Sequence, residues 1–442
     1  MRRLLVRRSI TAVGIYSSVV LGFLSTVVAA RTFHSKEIFG LFTLVITATG
    51  FCQALFDLTV EEAVVKYGFH YAAREEWGRL RGLYRSALFV KLAGSGLGAL
   101  GLLALAPFSH ALFGDSRATV PLLIAAGIPI GQSLEGLAGT ALFLRSRYDI
   151  RSAFLTWSMA LRLAAVAIGA RHGLVATVAG MVAAQVVATA SIGAVARVGF
   201  RRFPRAERRP LGEDRPEILR FVLQSSAATG VLALRQGLAP ILLGIVTSPT
   251  QAGFFKIAQA PQSGLQALSA PARMVLLTEQ TRDWEPGRRA EVLRGVRRYM
   301  LVAGLLMVVL LPPVIFFMPQ LVELVYSARF RGAGNAARVF ALAAGVQFLV
   351  GWTKSLPVAI GKPNLRVVTH GLETIVVLPL IVVLGLAWGA TGAAVAVLAG
   401  MCVFAVQWIV IFLRLEPGQL APPPALAESA AELEAEVGVL AR

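Results

Sequence analysis

The sequence predicts an all-α integral membrane protein with about 12 transmembrane helices, arranged as two pseudo-symmetric six-helix bundles around a central cavity. The first observation is composition, since 56% of the 442 residues are hydrophobic and 15% are charged, with a mean hydropathy of +0.69. The second is the length of the apolar stretches, which reach the roughly 20 residues that a helix needs to cross a bilayer. The third is an internal repeat, from which many transporters build a pathway between two similar bundles.

Six apolar stretches in the first half of the chain are long enough to be spans, and six more follow in the second half. The first stretch is too long for a cleaved signal segment and more spans follow it, so we expect it to be retained. The predicted spans are 9–30, 38–59, 84–107, 118–143, 150–170 and 173–197, then 218–246, 251–277, 299–325, 336–360, 365–387 and 389–413.

The repeat is visible as short matching segments. Leu80-Arg81-Gly82 recurs as Leu293-Arg294-Gly295, and Gly40-Leu41-Phe42 recurs as Gly253-Phe254-Phe255, both at an offset of 213 residues. Further along, Gln132 corresponds to Gln347 at an offset of 215, as if one loop had gained two residues. The repeat divides the chain into an N-terminal lobe (1–197), a basic cytoplasmic linker (198–216), a C-terminal lobe (217–413) and a cytoplasmic tail (414–442).

The formal net charge of +19 is spread unevenly over the loops. Roughly 30 of the basic residues fall at the N-terminus and in alternate loops, and about 7 fall in the loops between them. The positive-inside rule therefore predicts that both termini are cytoplasmic. Because the basic residues alternate with spans instead of forming one surface, we expect no nucleic-acid partner.

Motifs of catalysis are absent from the sequence. Joins on the far side of the membrane, such as 247–250 and 387–389, leave no room for an external catalytic domain. The chain contains neither a Walker-type phosphate loop nor a GxSxG nucleophile motif. Its histidines lack metal-ligand spacing, and both cysteines fall inside predicted spans. We therefore expect no enzymatic activity, no catalytic residue, no cofactor and no metal site.

Polar side chains inside the spans are the candidate substrate-binding residues. The candidates are Gln53 in span two, Gln224 and Arg235 in span seven, and Lys256, Gln259, Ser263 and Gln266 in span eight. The four in span eight follow spacings that keep one helical face, and the two in span seven also share a face. A charge deep in a span costs at least about 2.5–3.5 kcal/mol, so Arg235 should face protein or water rather than lipid. Helix–helix hydrogen bonding is the alternative role for the Gln and Ser residues, and snorkelling to the interface is the alternative for Lys256.

Two pairs of opposite charges inside the spans have two interpretations. Glu135 in span four and Arg162 in span five are predicted to form a structural ion pair within one bundle, with substrate contact as the alternative. Lys354 in span ten and Glu373 in span eleven present the same choice. Neither pair is therefore included among the candidate substrate-binding residues.

Three carboxylates close span two at the predicted cytoplasmic side. These residues are Asp57, Glu61 and Glu62, and Lys66 follows within a turn or two of helix. Pairing with Lys66 and the arginines of the following loop is the preferred interpretation. Binding of a coupling ion is the alternative.

Four segments carry a resemblance to a known family. They are 29–42 (AARTFHSKEIFGLF), 61–67 (EEAVVKY), 253–258 (GFFKIA) and 361–364 (GKPN). In this ordered set the chain resembles the polysaccharide (Wzx-type) flippase branch of the multidrug/oligosaccharidyl-lipid/polysaccharide exporter superfamily. The resemblance covers residues 1–413, and the two extra helices of the usual fourteen-span relatives are absent.

The resemblance implies a V-shaped cavity between two lobes, lined chiefly by spans one, two, seven and eight. It implies a multi-pass protein of the cytoplasmic (inner) membrane that translocates a polyprenyl-pyrophosphate-linked oligosaccharide from the inner to the outer leaflet by alternating access. Its partners are then this substrate and membrane lipids, and a monomer is expected. Arg235 fits the cationic cavity by position, and Arg31, inside the first matching segment, is added to the predicted substrate-binding residues.

Three other functions remain open from the sequence. A multidrug or small-solute antiporter of the same superfamily needs an acidic cavity, whereas this one is predicted to be basic. A lipid II flippase has closely similar chemistry. A membrane glycan polymerase or ligase needs a substantial external loop, which the short joins do not provide.

Overall fold

The computed structural model describes residues 2–269, 276, 280, 289–359 and 364–414. Helices account for nearly all of these residues, and no strand occurs among them. The helices of the first half are α1 (Arg2–Thr32), α2 (Lys36–Phe56), α3 (Val60–Ala73), α4 (Trp77–Leu105), α5 (Ser109–Phe113), α6 (Thr119–Ala125), α7 (Gly127–Phe143), α8 (Tyr148–Gly169) and α9 (Leu174–Arg201). Short 3₁₀ turns at Ala106–Phe108 and Ser116–Ala118 flank α5.

The second half begins with α10 after the linker. Its helices are α10 (Asp214–Val246), α11 (Pro249–Ala258), α12 (Ala260–Leu268), α13 (Arg289–Tyr326), α14 (Gly334–Leu349), α15 (Leu356–Ala359) and α16 (Asn364–Arg414), with 3₁₀ turns at Ala328–Ala333 and Gly351–Lys354. Helix α16 is two helices joined at Trp388 and Gly389, where Gly389 has a φ of 57°. The side chain of Gln251 accepts a hydrogen bond from the freed amide of Ala390 at 2.8 Å, which satisfies the backbone at this break.

The predicted fold class, an all-α integral membrane protein with about 12 transmembrane helices, is confirmed. Within the described residues, eight helices are long and apolar enough to span a bilayer, and one of these is the double helix α16. Helix α10 adds a shorter apolar stretch at Ala233–Val246. The predicted tail lies outside the described residues from 415 onward.

Internal contacts divide the chain into two compact units. The first comprises Met1–Ala260, Pro319–Ala337 and Leu378–Ala394, and the second comprises Pro261–Met318, Arg338–Val377 and Val395–Arg442. In the first unit, α1 packs on α8, while α2 packs on α10 and α11. Helices α10 and α11, which the repeat assigns to the second lobe, thus pack within the unit that contains the first lobe.

Repeat-related residues form the start of α2 and of α11. Ser35 and Ser248, 213 residues apart in the sequence, each cap their helix. The Ser35 hydroxyl accepts a hydrogen bond from the amide of Ile38, and the Ser248 hydroxyl accepts one from the amide of Gln251. These caps satisfy a backbone N–H group that the first turn of a helix leaves unpaired.

The repeat-related glycines Gly40 and Gly253 lie against each other where α2 crosses α11. A Cβ atom on Gly40 would lie 2.0 Å from the carbonyl oxygen of Pro249, and one on Gly253 would lie 3.2 Å from the Cα of Gly40. The backbones approach so closely because neither residue has a side chain, as at small-residue helix crossings in membranes.

Gly40→Ala is therefore expected to lower the melting temperature and the yield of folded protein, because the added methyl group meets backbone that cannot rotate away. Overpacking of this kind costs about 1–3 kcal/mol or more. The matched control is Gly50→Ala on the same helix, where a Cβ meets nothing within 4 Å. Size-exclusion profiles and melting curves of the two detergent-purified variants test this, and equal stability of both variants would contradict the tight crossing.

The predicted span eight is interrupted at one residue, Gln259, whose backbone dihedrals remain helical. Helix α11 ends at Ala258, Gln259 caps it, and α12 begins at Ala260. Pro261 explains the break, since its ring clashes with the carbonyl four residues earlier and it has no N–H to donate. Lys256 lies before this interruption, and Ser263 and Gln266 lie after it. Arg273, which continues the predicted polar spacing of span eight, lies outside the described residues.

Candidate substrate site

A polar cavity of about 290 Å³ lies inside the first compact unit, between α2, α7, α8 and α9. Apolar residues such as Ile46 and Ile128 form part of its wall. The polar residues that line it are Thr49, Gln132, Glu135, Arg151, Ser158, Arg162 and Gln185. Ionisable groups inside transmembrane helices are expensive to bury and mark substrate or ion pathways by default. This polar cavity is therefore the candidate functional site.

Glu135 is the anion of the polar cavity, and three side chains satisfy it. Its carboxylate accepts hydrogen bonds from Nε2 of Gln185 at 2.9 Å, from the Ser158 hydroxyl at 3.4 Å and from Nη1 of Arg151 at 3.5 Å. Gly139 on α7 leaves the room for this pairing, because a Cβ there would lie 2.5 Å from Nε of Arg151. Arg151 and Glu135 are both largely buried, so their charges offset one another with little screening by water.

Arg162 is the second cation of the polar cavity, and Glu135 does not neutralise it. No hydrogen bond or ion pair to Arg162 occurs among the described residues. Lys256 of α11 is near enough for its charge to act on that of Arg162. Two like charges near one another in a low-dielectric region repel, which favours an anion between or beside them. Over the described part of the chain, the polar cavity carries a surplus positive charge.

The structure corrects the predicted pairing of Glu135 with Arg162. The partner of Glu135 is Arg151, which lies at the boundary between a basic loop and predicted span five. The sequence did contain a signal for this arrangement, because Arg151, Ser158 and Arg162 follow spacings of seven and four residues that keep one face of α8. Gln185 had no such signal, since it comes from α9 and is brought to Glu135 only by tertiary packing.

A second buried group of charges lies where α2 ends. Lys91 of α4, with a side chain that is 1% exposed, contacts Asp57 and Glu61 at 2.5 Å each. Burial raises the pKa of the Glu61 carboxyl, while Lys91 opposes that shift. Asp57 and Glu61 pair with a cation as predicted, but among the described residues that cation is Lys91 and neither Lys66 nor a loop arginine. Lys66 lies over the rings of Tyr67 and Phe221, and Glu62 accepts a hydrogen bond from the Ser225 hydroxyl. Among the described residues, no group of three or more His, Cys, Asp or Glu side chains is arranged to hold a metal ion.

Hydrogen bonds link α3 to α10 beyond this end of α2; we call them the α3–α10 ties. The Tyr67 hydroxyl donates to Glu217 at 2.9 Å, and the Tyr71 hydroxyl donates to Asp214 at 2.7 Å. Burial and the bond to Glu217 raise the pKa of Tyr67 to about 12, so this hydroxyl remains a donor at neutral pH. Two further ties join Glu62 of α3 to Ser225 and Thr59, the residue before α3, to Ser226. Arg79 of α4 also donates to Asp214.

Arginines form a second set of ties at the opposite end of α2, which we call the Arg31–Arg329 ties. The Arg31 guanidinium donates to the backbone carbonyls of Val325 (2.8 Å) and Leu324 at the end of α13. In return, Arg329 donates to the carbonyl oxygens of Phe33, His34 and Arg31 at 2.8–3.0 Å. Positive charges at the C-terminal end of a helix are favourable because its carbonyls are unpaired. Arg31, predicted to bind substrate, therefore holds backbone in this structure.

The other predicted substrate-binding residues are spread over several helices. Arg235 is half-buried on α10 and does not line the polar cavity, while Gln224, also on α10, is exposed. Gln53 on α2 and Gln259 after α11 are half-buried. Lys256 does not line the polar cavity either and is exposed on α11, although its charge acts on that of Arg162.

In the second compact unit, polar residues gather around Gln347, the repeat counterpart of Gln132. Nε2 of Gln266 donates to Oε1 of Gln347 at 2.7 Å, and Ser263 is exposed on the same helix. Gln266, Gln347 and Lys354 line a small pocket, and Nδ1 of His370 contacts the buried Glu373 at 3.0 Å. Repeat-related glutamines thus line a polar pocket in each unit.

A known protein family matches more than half of the chain. Residues 7–277 match the model of the polysaccharide biosynthesis protein family. No curated protein matches the sequence.

Solved transporters share the fold at low sequence identity. An inward-facing multidrug resistance transporter of the MATE family in the MOP superfamily aligns with a TM-score of 0.70 at 13% identity, over 89% of this chain and 94% of that one. The lipid II flippase MurJ in an inward closed conformation aligns with a TM-score of 0.69 at 12% identity, over 91% and 87%. A MOP superfamily transporter from Pyrococcus furiosus aligns with a TM-score of 0.62 at 13% identity, over 95% and 96%.

The TM-scores of these alignments establish the fold, although the sequence identities are low. The match to the family model establishes the family to which the chain belongs. The resemblance noted in the sequence is confirmed at the level of the family, and the chain is a multi-pass membrane protein. It belongs to the polysaccharide biosynthesis protein family and has the fold of the MOP superfamily transporters.

Proposed function

We propose that the protein translocates a polyprenyl-diphosphate-linked oligosaccharide from the inner to the outer leaflet of the cytoplasmic membrane by alternating access, with both termini in the cytoplasm. One observation carries the proposal: a polar cavity inside a transmembrane unit holds a cation, Arg162, whose charge no described residue offsets. A membrane protein retains such a charge at a cost of several kcal/mol, which a functional anion offsets during transport.

The chemistry of the polar cavity suits a diphosphate that carries sugars. A guanidinium is always charged and binds phosphoryl oxygens through two parallel hydrogen bonds, so Arg162 is the proposed diphosphate ligand, with Lys256 as a second positive charge. Gln132 and Thr49, which also line the polar cavity, offer amide and hydroxyl groups to sugar hydroxyls. Arg235 stays a predicted contact of the diphosphate, and Gln53 stays a predicted substrate contact. The predicted sugar contacts remain Gln224, Gln259, Ser263 and Gln266.

Alternating access requires that each end of the pathway opens in turn. In the proposal, the α3–α10 ties break to admit substrate from the cytoplasm, while the Arg31–Arg329 ties hold the other end closed. Both sets consist of a few hydrogen bonds, each worth about 0.5–1.5 kcal/mol net, or more where a charge takes part. Such ties are strong enough to favour a closed end and weak enough for bound substrate to shift the balance.

Two other substrates are alternatives for the same fold. A cationic drug is disfavoured because the polar cavity already carries surplus positive charge. The similarity to a lipid II flippase supports a lipid-linked diphosphate as the substrate class, and the sugar attached to it is identified by experiment.

Deletion of the gene should cause one lipid-linked oligosaccharide to accumulate on the inner leaflet, and mass spectrometry of the extracted lipids identifies it. Accumulation of no such lipid would overturn the proposal.

Arg235→Ala is expected to abolish export of that oligosaccharide in the deletion strain while the protein still inserts in the membrane. The reason is that a half-buried arginine in the middle of α10 has the charge and the depth of a pathway residue. Export is measured as outer-leaflet glycan at matched protein levels, with Arg220→Ala, at an exposed position nearer the start of α10, as the control. Wild-type export by Arg235→Ala would remove this residue from the pathway.

A further inference from the structure

Three arginines from separate segments converge on a second cavity, outside the candidate substrate site. Arg81 lies in the first turns of α4, Arg201 is the last residue of α9, and Arg205 lies in the linker that follows. Together with Ala206 and Glu207 they line an open cavity of about 730 Å³, which we call the arginine pocket. None of the three arginines forms an ion pair among the described residues, so the arginine pocket carries a surplus of positive charge.

The arginine pocket is built by tight packing and does not depend on a loose loop. The amide of Arg209 donates to the carbonyl of Gly78 at 3.0 Å. A Cβ on Gly82 would lie 2.2 Å from the carbonyl oxygen of Arg209, and one on Gly78 would lie 2.5 Å from that of Glu207. Leu211 of the linker is buried in an apolar cluster with residues of α3 and α4. The linker backbone is therefore held in place, and Arg205 with it.

Arg81 has an unsatisfied donor in this fixed setting. Its Nη2 donates to the carbonyl of Pro204 at 3.3 Å, and its guanidinium lies 6.0 Å from the ring of Phe200. Its Nε is buried and has no hydrogen-bond partner in the part of the chain that the structure describes. A buried N–H group without a partner is costly, more so when it is charged, so an acceptor is expected nearby.

The arginine pocket lies at the depth of lipid headgroups. Two spans end beside it, because Arg201 ends α9 and Trp77 begins α4. Trp77 stacks on Phe203 of the linker with ring centroids 5.6 Å apart, and tryptophan is typical of the boundary between membrane and water. A phosphate group at this depth belongs to the surrounding lipid, whereas a soluble anion would have to compete with headgroups that are always present.

The geometry points to the arginine pocket as a binding site for the headgroup phosphate of an anionic membrane phospholipid. The three guanidinium groups bind its phosphoryl oxygens, and the unpaired Nε of Arg81 gains its acceptor. The bound lipid joins α4, α9 and the linker, and so stabilises the segment that connects the two halves of the chain. This role is independent of the transported substrate, because it holds whether or not the polar cavity binds a diphosphate.

The test measures lipid binding to the purified full-length protein. Native mass spectrometry gives the affinity for phosphatidylglycerol, with zwitterionic phosphatidylcholine as the reference lipid. The site variant carries Arg81→Gln, Arg201→Gln and Arg205→Gln. The matched control carries Arg202→Gln, Arg208→Gln and Arg215→Gln, which remove the same charge from exposed residues of the same region that do not line the arginine pocket.

We expect the site variant to lose phosphatidylglycerol affinity by at least about tenfold, and the control variant to lose less than about threefold. Equal losses in both variants would show diffuse charge attraction and overturn the proposal, as would no loss in the site variant. Displacement of the phospholipid by inorganic diphosphate at millimolar concentration would reassign the arginine pocket to soluble phosphates. If the triple variant does not fold, Arg205→Gln alone, an exposed linker residue, replaces it and should lose affinity by about threefold.

Discussion

Arg162→Gln should abolish export of the lipid-linked oligosaccharide while leaving the melting temperature of the protein unchanged or higher. The two effects separate because Arg162 has no hydrogen bond or ion pair among the described residues that folding would lose. Removing a buried charge without a partner relieves its desolvation, whereas removing half of an ion pair costs about 3–5 kcal/mol. Export in the deletion strain and melting curves in detergent measure both effects.

Two further variants sharpen the interpretation of Arg162. Arg162→Lys keeps the charge but loses the two-pronged guanidinium, so it should export at an intermediate rate if phosphoryl oxygens are the ligand. Arg171→Gln, exposed just beyond the end of the same helix, is the control and should export normally. A sharp fall in the melting temperature of Arg162→Gln would assign this residue to structure, and wild-type export would exclude it from the transport pathway.

Lys91→Met should reduce the amount of folded protein more than either Gly40→Ala or Arg162→Gln. It leaves Asp57 and Glu61 close together without the cation that lies between them. Breaking a buried pair costs about 3–5 kcal/mol, and the lower end applies because each carboxylate keeps 28% of its surface exposed. The monodisperse fraction after purification and the melting temperature measure the loss.

The stability lost in Lys91→Met should be partly restored by neutralising the two carboxylates that Lys91 contacts. Adding Asp57→Asn and Glu61→Gln to Lys91→Met removes the repulsion between the two carboxylates that have lost their cation. The melting temperature of the triple variant should therefore lie between those of Lys91→Met and the wild type. Lys66→Met is the control, since Lys66 contacts two aromatic rings and forms no ion pair among the described residues. A triple variant no more stable than Lys91→Met would mean that packing around Lys91, and not its charge, holds the end of α2.

Hydropathy was sufficient to predict most of the fold, because a span is recognised within some twenty consecutive residues. The turn at 387–389 was predicted from the sequence and is found inside α16 at Trp388 and Gly389. The break at Gln259 was missed, although Pro261 was visible, because membrane helices often tolerate proline. The ends of a span can therefore be predicted from the sequence only where a glycine or a polar turn interrupts the apolar stretch.

The candidate site was harder to predict because its contacts join residues far apart in sequence. Polarity inside a span identified Glu135 and Arg162 as unusual, but it could not choose between Arg151 and Arg162 as the partner of Glu135. Lys91 went unnoticed for the same reason, since its partners close the preceding span. Which charges are neutralised is a property of tertiary packing, and only the uncompensated ones point to a ligand.

The glycine-to-glycine crossing of α2 and α11 makes the two repeat-related positions unequal targets for substitution. A Cβ on Gly40 would lie 2.0 Å from the carbonyl oxygen of Pro249, which is backbone and cannot rotate away. A Cβ on Gly253 would meet the ring of Phe39 at 3.1 Å and the Cα of Gly40 at 3.2 Å, a contact that a shift of a few tenths of an ångström relieves. Equivalent positions of the repeat therefore differ in their tolerance of a side chain.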